Sequence, residues 1–340
     1  MKKIFKRFAA IILCAVTIIG ATTFTGCNIS KEKSAKDIVI CLDWTPNTNH
    51  TGLYVALEKG FYEEAGLNVT IVQPPEGGAT LMCASGQAQF AVDAQDTMAA
   101  ALDREDPLGI TAVAAILQHN TSGILSRKGD GITSPKGLAG KTYSTWDSPI
   151  ELAIIKYCME KENADYNSLT LIPNNITNEP AALDAGQTDA VWVFYGWSGI
   201  NAKLSDVECD YFAFKDIAEE LDYYTPVIIA NDKYLKENKN EAKAFMEATA
   251  LGYEYAAANP KEAADILIKG DDTGALNGAK DLVIASQEWM SKEYLDDQGK
   301  WGTIDGNRWD KFYKWLYENQ LTTKDLTGKG YNNEWIKASN

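Results

Sequence analysis

Arginine is scarce in this chain. Its 340 residues carry 32 basic side chains, but only Arg7, Arg104, Arg127 and Arg308 are arginines. Sites for phosphate, sulfonate and carboxylate favour the arginine fork, so ligands of that kind are disfavoured. Histidine is rarer still, with His50 and His119 alone. The six cysteines are scattered, none adjacent to another and none at metal-ligand spacing. Gly-x-Ser-x-Gly, Walker and zinc-ligand patterns are missing, which removes the usual catalytic constellations. There is no internal repeat and no low-complexity segment. The apolar run Ala9–Gly20 is too short for a comfortable membrane span.

Positive charge is also in deficit. Beyond residue 27 the chain has 28 basic against 47 acidic residues, a net of −19. That balance argues against nucleic acid and anionic lipid as partners.

What is present begins with a leader pattern. Lys2, Lys3, Lys6 and Arg7 precede the apolar run, and Phe24-Thr25-Gly26-Cys27 follows it. Small residues before a cysteine at that place look like a bacterial lipoprotein cleavage site, although Phe24 stands where Leu is most common. The expectation is a signal peptide over 1–26, a lipidated Cys27, a polar tether over 27–36 and an extracytoplasmic, membrane-anchored product. Roughly 310 remaining residues suit two lobes rather than one core.

The folded part opens on strand, polar turn and helix. Ile38–Leu42 is apolar, Pro46 ends any regular ladder, and a helical pattern starts near Leu53. In open α/β sheets a ligand sits beyond the carboxyl end of such a strand. Asp43, Trp44, Asn47, Asn49 and His50 stand there. Trp44 offers a ring to stack on, Asp43 an acceptor for an amino group, and the others mixed donors and acceptors. Turn-capping is the plainer role for the asparagines. Strand Val69–Gln73 and helix Gly77–Ser85 follow. The next strand runs into Asp93-Ala94-Gln95-Asp96, where Gln95 and Asp96 are cleft candidates and Asp96 is equally a helix N-cap. Ile110–Leu117 is a further strand, and Gly123–Arg127 reads as a connecting strand.

A second α/β unit then begins with Lys141–Thr145. Ser148, Pro149 and Glu151 spell a capping box, which places Trp146 and Asp147 at the mouth of a helix N-terminus. Strand Ala190–Phe194 ends in Tyr195-Gly196-Trp197-Ser198-Gly199. Tyr195 and Trp197 mirror the first aromatic site, while Trp192 and Phe194 are expected to pack inside. Tyr223–Ala230 is the return strand, with Tyr223 and Tyr224 facing the cleft at the crossing. The later aromatics Trp301, Trp309, Phe312, Tyr313, Trp315 and Tyr317 recur at helical spacing and read as core.

The stretch LDWTPNTNHTGLYVALEKGFYEEAGL, residues 42–67, resembles solute-binding proteins of ABC importers for the pyrimidine precursor of thiamine. The same superfamily includes the thiamine-pyrimidine precursor synthases and, more distantly, alkanesulfonate-binding proteins. The resemblance extends loosely to about residue 260. It implies a two-lobed α/β clamshell of the type II periplasmic-binding-protein kind, with two interlobe crossings. Lobe 1 is expected over 37–125 and 222–340, and lobe 2 over 126–221. It further implies a monomer without cofactor or metal that captures a planar heteroaromatic and hands it to permease and ATPase subunits. Trp44 from below and Tyr195, Trp197 or Trp146 from above would sandwich the ring. In the resembled importers an acidic residue often follows the Gly-Trp pair, where this chain has Ser198. A flavin is the second ligand choice and a precursor synthase the rival activity. The synthases use a Lys and a His in the first lobe and a cysteine-rich motif. This chain has no Lys or His between Lys59 and His119.

Overall fold

The computed structural model describes residues 35–174 and 176–336. The leader, Cys27 and most of the expected tether lie outside the described residues. Ten strands follow in chain order. They are β1 (Lys36–Cys41), β2 (Leu67–Val72), β3 (Phe90–Asp93), β4 (Ile110–Ala115), β5 (Ser122–Arg127), β6 (Thr142–Thr145), β7 (Thr170–Pro173), β8 (Ala190–Phe194), β9 (Cys209–Ala213) and β10 (Val227–Asn231). They form two five-stranded sheets, ordered β2-β1-β3-β10-β4 and β7-β6-β8-β5-β9.

The two sheets share one plan. In the first, β1 pairs parallel with β2 and β3, and β10 inserts antiparallel between β3 and β4. In the second, β6 pairs parallel with β7 and β8, and β5 inserts antiparallel between β8 and β9. Each inserted strand enters from the other half of the chain. β10 is buried along its whole length, as a strand flanked on both sides and covered on both faces must be.

β5 corrects a boundary. Gly123–Arg127 is no mere connector, because Ser122–Arg127 pairs with both β8 and β9. The first sheet therefore releases the chain after β4, ahead of the change at residue 125 expected from the sequence. The physical reason is local. Gly123 lies so close to its neighbour that an added Cβ would sit 2.1 Å from the Phe212 carbonyl oxygen, so this glycine permits close pairing rather than marking a turn.

The C-terminal helices cover the first sheet. Helix Lys239–Ala258 packs on helix Thr51–Glu58 through a glycine contact. A Cβ on Gly252 would lie 2.1 Å from the Gly52 carbonyl oxygen. Tyr62, Phe245 and Phe90 stack in series beneath them, with centroids 5.3 and 4.1 Å apart. Trp301, Trp309, Phe312, Tyr313 and Trp315 are buried as expected, whereas Tyr317 is exposed. Among the described residues no helix is long and apolar enough to cross a membrane.

The Gly252 contact yields a prediction. Gly252→Ala should destabilise the protein by about 1–3 kcal/mol or more, because backbone rather than a flexible side chain stands in the way. Chemical denaturation of the variant measures it, and an unchanged midpoint would mean that the two helices separate without cost.

Candidate functional site

The loop after β1 is set by its own side chains. Asn47 Oδ1 accepts from the Asn49 amide at 2.9 Å, and Asn47 Nδ2 donates to the Thr45 carbonyl at 3.0 Å. The Asn47 amide donates to His50 Nδ1 at 3.2 Å. That fixes the tautomer: the ring proton sits on Nε2 and is donated to Asp43 Oδ1 at 2.7 Å. His50 is fully buried, so it orients Asp43 and does not itself face solvent. The capping role weighed for Asn47 is the one its bonds show. Asn49 is held through its carbonyl, which accepts from Tyr253 Oη at 2.7 Å. Asp43 keeps its second oxygen for another donor, and the Trp44 ring is 66% exposed beside it.

β3 brings a second carboxylate to the same place. Asp93, its last residue, is 5% exposed and accepts from Thr80 Oγ1 at 2.5 Å and from the Ala94 amide at 2.8 Å. Burial pushes its pKa up to about 7, the two hydrogen bonds oppose that, and the charges of Asp96 and Asp43 add to it. Burial also raises Asp96, whose Oδ1 is buried without a partner. Asp43 and Asp96 thus both lie within electrostatic reach of Asp93. Among the described residues none of them has a Lys or Arg ion pair. The helix here starts at Gln95, with Ala94 as its cap residue, so Asp96 is in the first turn and not the N-cap.

Gln95 has a different use from the one expected. It is fully buried, donating to the Trp309 carbonyl at 2.8 Å and accepting from the Tyr224 amide at 3.0 Å. It bolts the return crossing to the C-terminal helices. Tyr223 and Tyr224 are 2% and 1% exposed. Tyr223 stacks on Phe312 at 4.0 Å, and Tyr224 Oη accepts from the Asp305 amide at 2.8 Å. The two tyrosines are packed into the crossing, with only Tyr223 beside the acidic group, under the influence of Asp96.

The second sheet contributes Trp146 and Asp147 at the end of β6. Glu151, itself 4% exposed, accepts from the Trp146 amide at 3.1 Å, Thr145 Oγ1 at 3.0 Å and Tyr143 Oη at 2.5 Å. The capping box read from Ser148 and Glu151 is present and also fixes this turn. Asp147 adopts a φ of 61°, which supports the turn at some cost in backbone strain. The Trp146 ring is 48% exposed and lies 5.9 Å from the buried Trp192 ring.

Tyr195 and Trp197 do not stand free at an opening. Tyr195 packs on Tyr211 at 4.7 Å and on Trp289 at 5.2 Å. Trp197 packs against the core under the C-terminal helices. Between them the Gly196 carbonyl accepts from Ser286 Oγ, which bonds Thr48 Oγ1 at 2.6 Å. This segment joins the loop after β1 to helix Lys280–Met290. A crevice of about 10 Å³, room for one water, remains between Asn47, Thr48, Thr121, Phe194 and Trp197. Ser198, which replaces an expected acid, donates to Glu179 Oε1 at 2.8 Å, so a carboxylate reaches this turn from another helix.

Sequence reasoning passed over Asp93; of the two aromatics expected to pack inside, Trp192 does so at 4% exposure, whereas Phe194, the last residue of its strand, is 37% exposed. Asp93 had a signal: it is the one charged residue in a strand otherwise apolar and buried throughout. Chemically the site offers ring faces and acceptors and no cation, which suits flat ligands bearing N–H groups. Among the described residues no cluster of three His, Cys, Asp or Glu side chains is arranged to hold a metal ion.

Comparison with known proteins follows the same line. A family model described as NMT1/THI5 like matches residues 47–263. The formylaminopyrimidine-binding protein of Halalkalibacterium halodurans is 26% identical over 323 residues, covering 92% of this chain and 93% of that protein. The 4-amino-5-hydroxymethyl-2-methylpyrimidine phosphate synthase THI13 of Saccharomyces cerevisiae is 26% identical over 251 residues, or 68% and 70% of the two chains. The alkanesulfonate-binding protein SsuA from Xanthomonas axonopodis pv. citri, solved with MOPS, superposes with a TM-score of 0.63 at 14% identity, over 88% and 99% of the chains. The last likeness is one of fold, and it agrees with the two-lobed clamshell expected from the sequence.

Asp93 carries a pH signature. Its folded pKa stands above its unfolded value of about 4, so the native state holds the extra proton between those limits. Its stabilising contribution is therefore present at low pH and lost as pH rises toward and through about 7. Denaturation midpoints taken at about pH 5 and pH 8 should fall more in the wild type than in Asp93→Asn, by up to about 1.4 kcal/mol per pH unit within that window. Parallel curves for the two proteins would contradict this account of Asp93.

Proposed function

The chain belongs to the NMT1/THI5-like family, and from that membership and the chemistry of the site we propose that it is a solute-binding protein for a thiamine-type aminopyrimidine. The carrying observation is the group Asp43, Asp93 and Asp96, gathered without a basic partner next to the exposed Trp44 ring, with the half-exposed Trp146 ring at the end of a strand of the second sheet. A ring presenting amino groups supplies the donors that these acceptors lack, and the indoles supply stacking surface. A sulfonate or phosphate would meet carboxyl groups and no cation to pair with. The relative of highest coverage reported above is named for binding formylaminopyrimidine, which supports this reading over a flavin. In this reading the protein acts by capture, not catalysis, because the resembled synthases use a Lys and a His in the first lobe and this chain has neither between Lys59 and His119. In this reading it delivers its ligand to the permease and ATPase of an ABC importer as a monomer outside the cytoplasm, anchored through a lipidated Cys27.

Calorimetry separates the roles of ring and acid. Trp44→Ala should weaken every flat ligand by roughly 0.5–1.5 kcal/mol, since stacking ignores ring substituents. Asp43→Asn should cost an aminopyrimidine roughly 1.5–3 kcal/mol and its desamino analogue little. Equal losses for both ligands would make Asp43 a turn residue only. The anchor has its own check: Cys27→Ala should leave the membrane fraction, and a variant that stays there as the wild type does would exclude lipidation.

A further inference from the structure

One hydroxyl joins the loop after β1 to the second sheet. Ser286, buried on helix Lys280–Met290, donates its only proton to the Gly196 carbonyl. The Thr48 hydroxyl, 2.6 Å away, must therefore donate to Ser286 in turn. Thr51 Oγ1 donates to Gln287 Oε1 at 2.6 Å, so the segment behind Asp43 is tied twice to the same helix.

The two ends of this contact belong to different lobes. Val283 and Met290 of the helix share a core with Ile38 and Ile40 of β1. The turn Tyr195–Gly199 continues directly from β8 of the second sheet. The Tyr195 amide donates to the Thr121 carbonyl at 2.9 Å, which hangs the turn from the crossing between β4 and β5. Rotation about that crossing lifts Gly196 off Ser286. The seat is close. A Cβ on Gly196 would lie 2.3 Å from Met290 Sδ and 3.0 Å from a Trp289 ring carbon, and the Tyr195 and Trp289 rings are 5.2 Å apart. Every group in the contact belongs to the protein, and the hydrogen bonds lie where water is nearly excluded.

We propose that Ser286 is a closure latch. It holds the second lobe against the first before any ligand arrives, and it does so from the loop that carries Asp43. A ligand then enters and leaves only when the latch releases, so the latch slows exchange in both directions. The inference rests on the two-lobed fold and not on the identity of the ligand.

Small-angle X-ray scattering of the ligand-free protein tests it. The wild type should match the compact geometry of the structure. Ser286→Ala leaves the Gly196 carbonyl without its donor, and Gly196→Ala drives a methyl into Met290. Both variants should show a larger radius of gyration while still melting cooperatively. In stopped-flow binding of 4-amino-2-methylpyrimidine, Ser286→Ala should raise association and dissociation alike by about tenfold and leave Kd nearly unchanged. An expanded wild type, or a Ser286→Ala variant as compact as the wild type, overturns the latch, and so do rates that do not move. A rise in dissociation alone would mean that the latch forms only over a ligand, which overturns it too. Should Gly196→Ala not fold, Ser286→Ala decides. A wild type that does not bind 4-amino-2-methylpyrimidine counts against the proposed function, and scattering then decides the latch by itself.

Discussion

The insertion of β10 between β3 and β4 is the constraint on which the rest depends. The five residues Val227–Asn231 are wholly buried and complete the first sheet only after the chain has built the second. Without them β3 and β4 would each present an unpaired, apolar edge. The first lobe is therefore not a unit that folds and then acquires a partner. Its central strand is supplied by the return crossing, and long-range pairing of this kind is closed late, after its loop entropy has been met. The same topology fixes where chemistry can occur. Both crossings run past the carboxyl ends of β1, β3, β6 and β8, so the loops there are the ones brought together.

Much of this was legible in the sequence. Strand-then-loop segments ending in Asp43, Asp93 and Trp146 are visible as apolar runs broken by polar and aromatic residues. The capping box at Ser148 and Glu151 is spelled by spacing alone and recurs in the structure. The roles inside the site were harder to read. Gln95 and Asp96 are adjacent and equally polar, yet one is bonded on both ends of its amide and the other keeps an orphan oxygen. Which of two neighbours faces packing and which faces space depends on helices Trp309 and Phe312 belong to, more than two hundred residues away in the chain. Tyr195 and Trp197 show the same limit, because their ring surfaces are claimed by helix Lys280–Met290 and the core beneath it.

The electrostatic design follows from what the chain avoids. Asp222 receives Arg308 and His119 at the crossings, which pairs its charge there. Arg308 lies over the Tyr224 ring, 5.4 Å from its centroid, and so belongs to the crossing and not to the ligand. The carboxylates at the strand ends receive hydroxyls, amides and a neutral histidine instead. These donors are weaker than a cation, so the acids retain acceptor capacity and an unpaid desolvation cost. In the proposed function a ligand with N–H groups relieves that cost on entry, whereas an arginine in the same place would have removed it in advance. Scarcity of arginine thus fits the proposed function: Arg308 is committed to the crossing, and in that proposal selectivity for donor-bearing rings rests on acids that the protein leaves incompletely paired.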